Sequence, residues 1–442
     1  MNAQICKRAN SMVNFSNMLP MMKIGKISSA PALFLFILWL FLHSASLAEA
    51  IEEMFGLDAL LAEALQNNPE ILALKNRHEA ARAMVPQALS PPDPWLGLEY
   101  EEVPKGTLDL GQAPMRMYSV RQMVPFPTKL FTRATAASKA AKSAFEEYKE
   151  KENEVIQKVT SAYAELFLLY KAIDITTENK ILLEQLSQTA ATRYSLGETS
   201  QQDALKAQVE IARMDTELIM LEQRRQVTVA KLNVLLNRDP WTELARPDVK
   251  EDISFDRGLD ELYRLAREKR PELRAAKFNV ERGKLVNSLA IQEYLPDFMI
   301  EFEQRERDGH TDGYDIMGAV SVPIWFWEKQ NYNVKETRKE LKMLEAEYRM
   351  TENMALLDVK EAHSRVETLK KLVTLYKTSF LPQAEQTLKA SSIGYESNQV
   401  DFLNLLDSQR MLLEFKLDYY RNLVELEIAL ADLERGVGVD LK

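Results

Sequence analysis

Helix breakers are distributed along this 442-residue chain in a way that few folds can accommodate. Nine of its seventeen prolines fall between Pro69 and Pro127, and residues 128–239 then contain none. The sole glycine of that stretch is Gly197. The pattern recurs across residues 324–435, where only Pro382 and Gly394 interrupt. Inside a helix proline costs about 3 kcal/mol and glycine about 1 kcal/mol, so each empty stretch predicts very long helices. Gly197 and residues 394–398 are the expected reversals. Apolar residues support this at coiled-coil spacing: Ile156, Val159, Tyr163, Leu166, Tyr170 and Ile173 step by alternating threes and fours. A helix over residues 128–196 would be roughly 100 Å long at 1.5 Å per residue, longer than a compact domain can hold.

Composition narrows the function. With 46% hydrophobic residues the chain can bury a large core, while a net charge of −10 argues against gripping nucleic acid. The one cysteine, Cys6, and only four histidines leave no thiolate or imidazole cluster. No P-loop, G-x-S-x-G, H-E-x-x-H or C-x-x-C motif occurs, so the expectation is a protein without catalysis, cofactor or resident metal. At the N-terminus, Lys23 and Lys26 precede an apolar run over residues 31–42 and an Ala48-Glu49-Ala50 exit. This predicts a secretory signal peptide over 1–50; the run is too short for a spanning helix.

The remainder is two copies of one plan. Ala64, Pro69, Glu70 and Lys75 recur as Ala266, Pro271, Glu272 and Lys277. Val124, Pro125 and Lys129 recur as Val322, Pro323 and Lys329, and Tyr194, Leu205 and Gln208 as Tyr395, Leu406 and Gln409. The predicted first repeat covers 51–239, a joint covers 240–257, and the second repeat covers 258–442. Each reads helix, helix, two strands, long helix, tight turn, returning helix. The strands, expected near 94–103, 115–125, 296–304 and 314–323, alternate apolar with polar residues over about ten positions, the length of a tilted membrane strand. Their alternation sets Glu99, Glu101, Glu301 and Glu303 on one face with Arg121 and marks them as pore lining. Loops at 104–114 and 305–313 would close the hairpins, and Trp95, Trp325 and Trp327 suit a membrane-interface girdle. Four strands cannot close a barrel, and an open sheet edge cannot sit in lipid. Two chains would supply eight strands; three would supply twelve and leave an opening.

The chain resembles the TolC-type outer-membrane efflux proteins over roughly residues 56–440. The resemblance rests on the Leu60 to Pro69 run, on Arg193-Tyr194-Ser195-Leu196-Gly197 followed by Asp203 and Gln208, on Leu232 to Leu236 before Pro240, and on Tyr395 followed by Leu406 to Gln409. It implies a mainly α fold with a small β part. Three chains would build a twelve-stranded β-barrel in the outer membrane, continued by a coiled-coil tunnel in the periplasm. The partners it implies are a homotrimer, outer-membrane lipid, a periplasmic adaptor and an inner-membrane pump of the resistance-nodulation-division type. Pro91-Pro92-Asp93-Pro94-Trp95, with Gln122 to Pro127, looks most like the heavy-metal-efflux branch. Adaptor contact is implied at two tips: Tyr194, Leu196, Gly197, Glu198, Thr199 and Ser200, then Ser397, Asn398, Gln399 and Val400. Ser200 with Asp203 also has the spacing of a capping box.

The resemblance further implies a periplasmic gate. Asp407 matches one of the family's paired ring acids, the other being replaced by Asn404. Tyr395 and Asp203 match two members of the family's tip-locking network, but its arginine position reads Val400. Eighteen methionines invite a soft-metal reading, with flexible apolar filler as the plainer account. The rival from another class is a periplasmic coiled-coil scaffold or adaptor without a pore.

Overall fold

The computed structural model describes residues 56–106, 109–249 and 255–441. The predicted signal peptide lies outside them. Helices α1 (Leu57–Asn67) and α2 (Pro69–Leu89) precede strands β1 (Trp95–Glu101) and β2 (Met115–Val124), which lead into α3 (Pro127–Ser195) and its return α4 (Gln201–Leu235). The second copy runs α5 (Leu259–Lys269), α6 (Pro271–Gln292), β3 (Phe298–Arg307), β4 (His310–Val320) and α7 (Lys329–Leu375). A π-helical turn over Tyr376–Phe380 passes into α8 (Leu381–Glu396), and α9 (Phe402–Val437) returns. The described chain is therefore mainly helical with one small sheet.

Counterpart residues fill counterpart cores. Leu60 and Ala64 of α1 pack with Val159 and Leu166 of α3 and Leu232 of α4. Leu262 and Ala266 of α5 pack with Val359 of α7 and Leu430 and Leu433 of α9. Ala64 and Ala266 both have 0% exposure, so at each site a short helix lies against the long ones with no room for a larger side chain. Helix α3 is the common member, packing against α1, α2, α4, α6 and α9.

Two details depart from the sequence expectations. The β3–β4 connection is not a nine-residue loop: the strands continue to Arg307 and resume at His310. Asp308 and Gly309 both take positive φ, 51° and 81°, which builds a two-residue turn whose twist matches the flanking strands. Ser200 precedes α4 but makes no side-chain cap; its hydroxyl instead lies 3.5 Å from the Asp203 carboxylate. Pro382 lies within the second long hairpin, as the expected reversal at residues 394–398 requires. It sits in the first turn of α8, directly after the π turn, where the widened coil accommodates a residue with no N–H and a bulky ring.

The sheet is antiparallel throughout, in the order β1-β2-β3-β4. Asp297 ties it to the helices. Its carboxylate accepts from Lys129 Nζ at 2.8 Å and from the Phe126 amide at 2.9 Å, and its own amide donates to Ser321 Oγ at 2.9 Å. Lys129 is buried and also donates to the Leu295 carbonyl at 2.9 Å. Burial alone would raise the Asp297 pKa, but the hydrogen bonds from Lys129 and Phe126 and the charge of Lys129 hold it below the ordinary range. Asp297→Asn, which leaves Lys129 buried with a weaker partner, is expected to cost about 2–3 kcal/mol. The loss would be read as a lower thermal midpoint, and Lys129→Met in the same chain should restore part of it. The folded carboxyl titrates below its unfolded value of about 3.9. Its contribution is therefore complete above about pH 5 and fades as pH falls through the folded pKa.

Candidate functional site at the strand wall and the helical tips

Cross-strand pairing sorts the sheet into two unlike faces. Leu96, Val120, Phe302 and Ile316 are in register across all four strands. With Leu98, Tyr118, Ile300 and Tyr314 they form an apolar face that is exposed to an unusual degree, Leu96 at 80% and Ile316 at 79%. Such a face needs an apolar surround. Glu99, Glu101, Arg121, Glu301 and Glu303 occupy the opposite face, as their alternation predicted. Glu301 is buried there at 6% exposure and pairs with Arg121 at 2.9 Å. Trp95 differs from the expected girdle position: it is in register with Arg121, on the charged face.

Sequence reading missed three more charges on this face. Arg305 pairs with Asp315 at 2.9 Å, and Arg307 follows two residues on. Their parity was visible, but assigning 305–313 to a loop removed Arg305 and Arg307 from the strands, while Asp315 lay within the expected strand and went unremarked. With these included, the face still carries more carboxylates than guanidinium groups.

The tips are two copies of one helix ending. At the first, the Glu198 amide donates to the Arg193 carbonyl at 2.9 Å and the Gly197 amide to the Tyr194 carbonyl at 3.0 Å. At the second, Gln399 donates to Gly394 at 2.8 Å and Asn398 to Tyr395 at 3.2 Å. Both reversals need a left-handed residue: Gly197 has φ 77° and Asn398 φ 60°. Tyr194, Leu196, Ser397 and Gln399 are exposed, while Tyr395 is buried and Thr199 and Val400 are half-buried. Val400 covers Gly394 so closely that a Cβ there would come within 2.5 Å of it. The position therefore serves packing.

An arginine reaches the tip network from elsewhere. Arg193, only 8% exposed, donates to the Tyr395 carbonyl and to Asn398 Oδ1, and its guanidinium lies 4.8 Å from the centre of the Tyr395 ring. Glu198 pairs with it at 3.3 Å. The Asp203 carboxylate accepts from Thr199 Oγ1. Burial pushes the Tyr395 hydroxyl above its ordinary pKa, and the negative charge of Asp203 adds to this. One buried side chain of the first tip thus fastens the second. Asp407 and Asn404 lie nearby, exposed on the first turns of α9, with Asp407 3.4 Å from Arg410. Arg410 also holds Glu210 of α4.

The sequence model for the outer membrane efflux protein family matches residues 60–238 and 262–439, one match for each repeat. The chain belongs to that family. Family membership places it in the outer membrane and among efflux channels. The cobalt-zinc-cadmium resistance protein CzcC of Cupriavidus metallidurans is 21% identical over 388 residues, covering 86% of this chain and 90% of that protein. Among solved structures, the outer membrane protein VceC of Vibrio cholerae aligns with a TM-score of 0.74 at 18% identity, over 87% of this chain and 97% of VceC. CusC aligns with a TM-score of 0.77 at 15% identity, over 87% and 92%. These likenesses extend the fold across both repeats.

Asn398→Gly keeps the left-handed turn and removes only the acceptor that Arg193 uses. It is expected to loosen the two tips. Spin labels at Leu196 and Gln399 should give a broader distance distribution than in the parent chain, and Arg193→Met should broaden it further.

Proposed function

We propose that three copies of this chain close a twelve-stranded barrel and act as a passive, gated efflux duct fed by an inner-membrane pump through a periplasmic adaptor. The supporting observation is the sheet itself. β1 and β4 are unpaired at their outer edges, and one face is apolar and exposed. Unpaired N–H and C=O groups are tolerated in lipid only if another strand satisfies them. Pairing β4 of one copy with β1 of the next does so, turning the apolar face outward and the carboxylate face inward. The long hairpins then line a tunnel continuous with the barrel.

Asp407, repeated three times at the tunnel end, would form a carboxylate ring that favours cations. Asn404 weakens that ring by carrying no charge, and Arg410 weakens it by compensation. Glu99, Glu101, Glu301 and Glu303 would extend the cation preference along the barrel. Tyr194, Leu196 and the polar tip residues supply an exposed surface suited to adaptor hairpins. Metal cations as cargo gain support from the name of the relative CzcC, a cobalt-zinc-cadmium resistance protein.

Detergent-extracted protein is expected to be trimeric and to show single-channel conductance in planar bilayers. A water-soluble monomer without conductance would refute the duct. Replacing the four strand glutamates by glutamine should lower cation-over-anion selectivity, and Asp407→Asn should lower it further while leaving assembly intact.

A further inference from the structure

The strand methionines are segregated in a way that apolar filling does not explain. Met115, Met117, Met123, Met299 and Met317 all fall on the carboxylate face, and none falls on the apolar face. Flexible filler should favour the apolar face, where Leu, Ile, Val and Phe reside. Instead, the charged face carries no Leu, Ile, Val or Phe; apart from Trp95 and Ala319, its non-polar side chains are methionines. A thioether is a weak hydrogen-bond acceptor and does little to hydrate a polar wall. What distinguishes it is softness as a ligand.

Three of the five form a group. Met123 and Met299 are direct cross-strand partners, Met299 faces Ala319, and Met317 is the diagonal neighbour two residues from Ala319. Direct partners on one face hold their Cβ atoms about 4.5–5.5 Å apart, and diagonal ones lie within reach of long side chains. Glu301 is the direct strand partner of Met317 and of Arg121, whose guanidinium holds its carboxylate at 2.9 Å. Met317 remains 47% exposed, which leaves the group open to solvent.

We propose that Met123, Met299 and Met317, with Glu301 beside them, form a transit site for a soft monovalent cation of the Cu(I) or Ag(I) class. Thioethers prefer such ions to borderline divalent ones, and Glu301, held by Arg121, fixes the strand wall beside them. The site binds weakly enough to release its cargo, as a conduction path requires. This deepens the channel proposal, because the face must line the duct for the ion to pass along it.

The test uses the full-length protein in detergent with 13C-methyl-labelled methionine, titrated with silver nitrate in chloride-free buffer. Silver should shift the Met123, Met299 and Met317 methyl signals while leaving those of Met343, Met350 and Met354 on α7 in place. The triple variant Met123→Leu, Met299→Leu, Met317→Leu should weaken silver binding at least tenfold. Zinc nitrate should shift none of these methyl signals. Equal shifts on α7, or undiminished binding by the triple variant, would overturn the site. If the triple variant fails to assemble, Met317→Leu alone, at the exposed position, must still weaken binding measurably. Conductance of the parent chain in potassium nitrate separates the two proposals. A conducting protein whose methionines ignore silver defeats the transit site alone, whereas a non-conducting one defeats the duct whatever silver does.

Discussion

A single uninterrupted helix is the condition on which the rest of this molecule depends. Helix α3 runs for 69 residues, about 100 Å, with no glycine and no proline after its first residue, Pro127. Backbone hydrogen bonds run its whole length, but most of the stability of a helix in a protein comes from packing one face. It persists because α1, α2, α4, α6 and α9 each cover part of its surface. Covering helices must be long or numerous, and the duplicated sequence provides both. The sheet depends on the same rod, since the buried Lys129 near the start of α3 fixes Asp297 just before β3. A change that broke α3 near its middle would therefore uncouple the strand end from the tips.

Much of this was legible because the decisive signals are local. Proline and glycine act on the residues beside them, so their absence over 128–239 gave the hairpin and its reversal at Gly197. Strand parity followed from simple alternation, which placed Glu99, Glu101, Glu301, Glu303 and Arg121 together. The losses came where a local rule has two solutions. Asp308-Gly309 fits both a loop and a tight turn, and the backbone pairing of Arg307 with His310 shows the strands continuing. The π turn beside Pro382 has no signature in the residue order at all.

Arg193 shows the other limit. Nothing in the order of residues says that a side chain before Gly197 reaches Asn398, more than two hundred positions away. The contact exists because both reversals point the same way and lie side by side, with Tyr395 and Phe402 packed beneath against Leu183 and Ala207. Its chemistry also explains why the second tip can hold asparagine where the first holds glycine. Asparagine tolerates the left-handed conformation, and its side-chain oxygen is the acceptor that the guanidinium takes.

The π turn at Tyr376–Phe380 makes the two repeats unequal in one respect. An α-helix advances about 100° per residue, so one residue inserted into the coil rotates everything beyond it by about that angle. Residues of α7 and α8 that would have shared one stripe instead face different neighbours. Around the insertion, Tyr376, Phe380 and Phe415 close into an aromatic knot with centroids 5.0–6.0 Å apart, and the Tyr376 hydroxyl donates to Asp418 at 3.2 Å. The first hairpin keeps a single azimuth from sheet to tip. The second changes azimuth partway, so the face its upper half turns to its neighbours is not the continuation of the face its lower half presents.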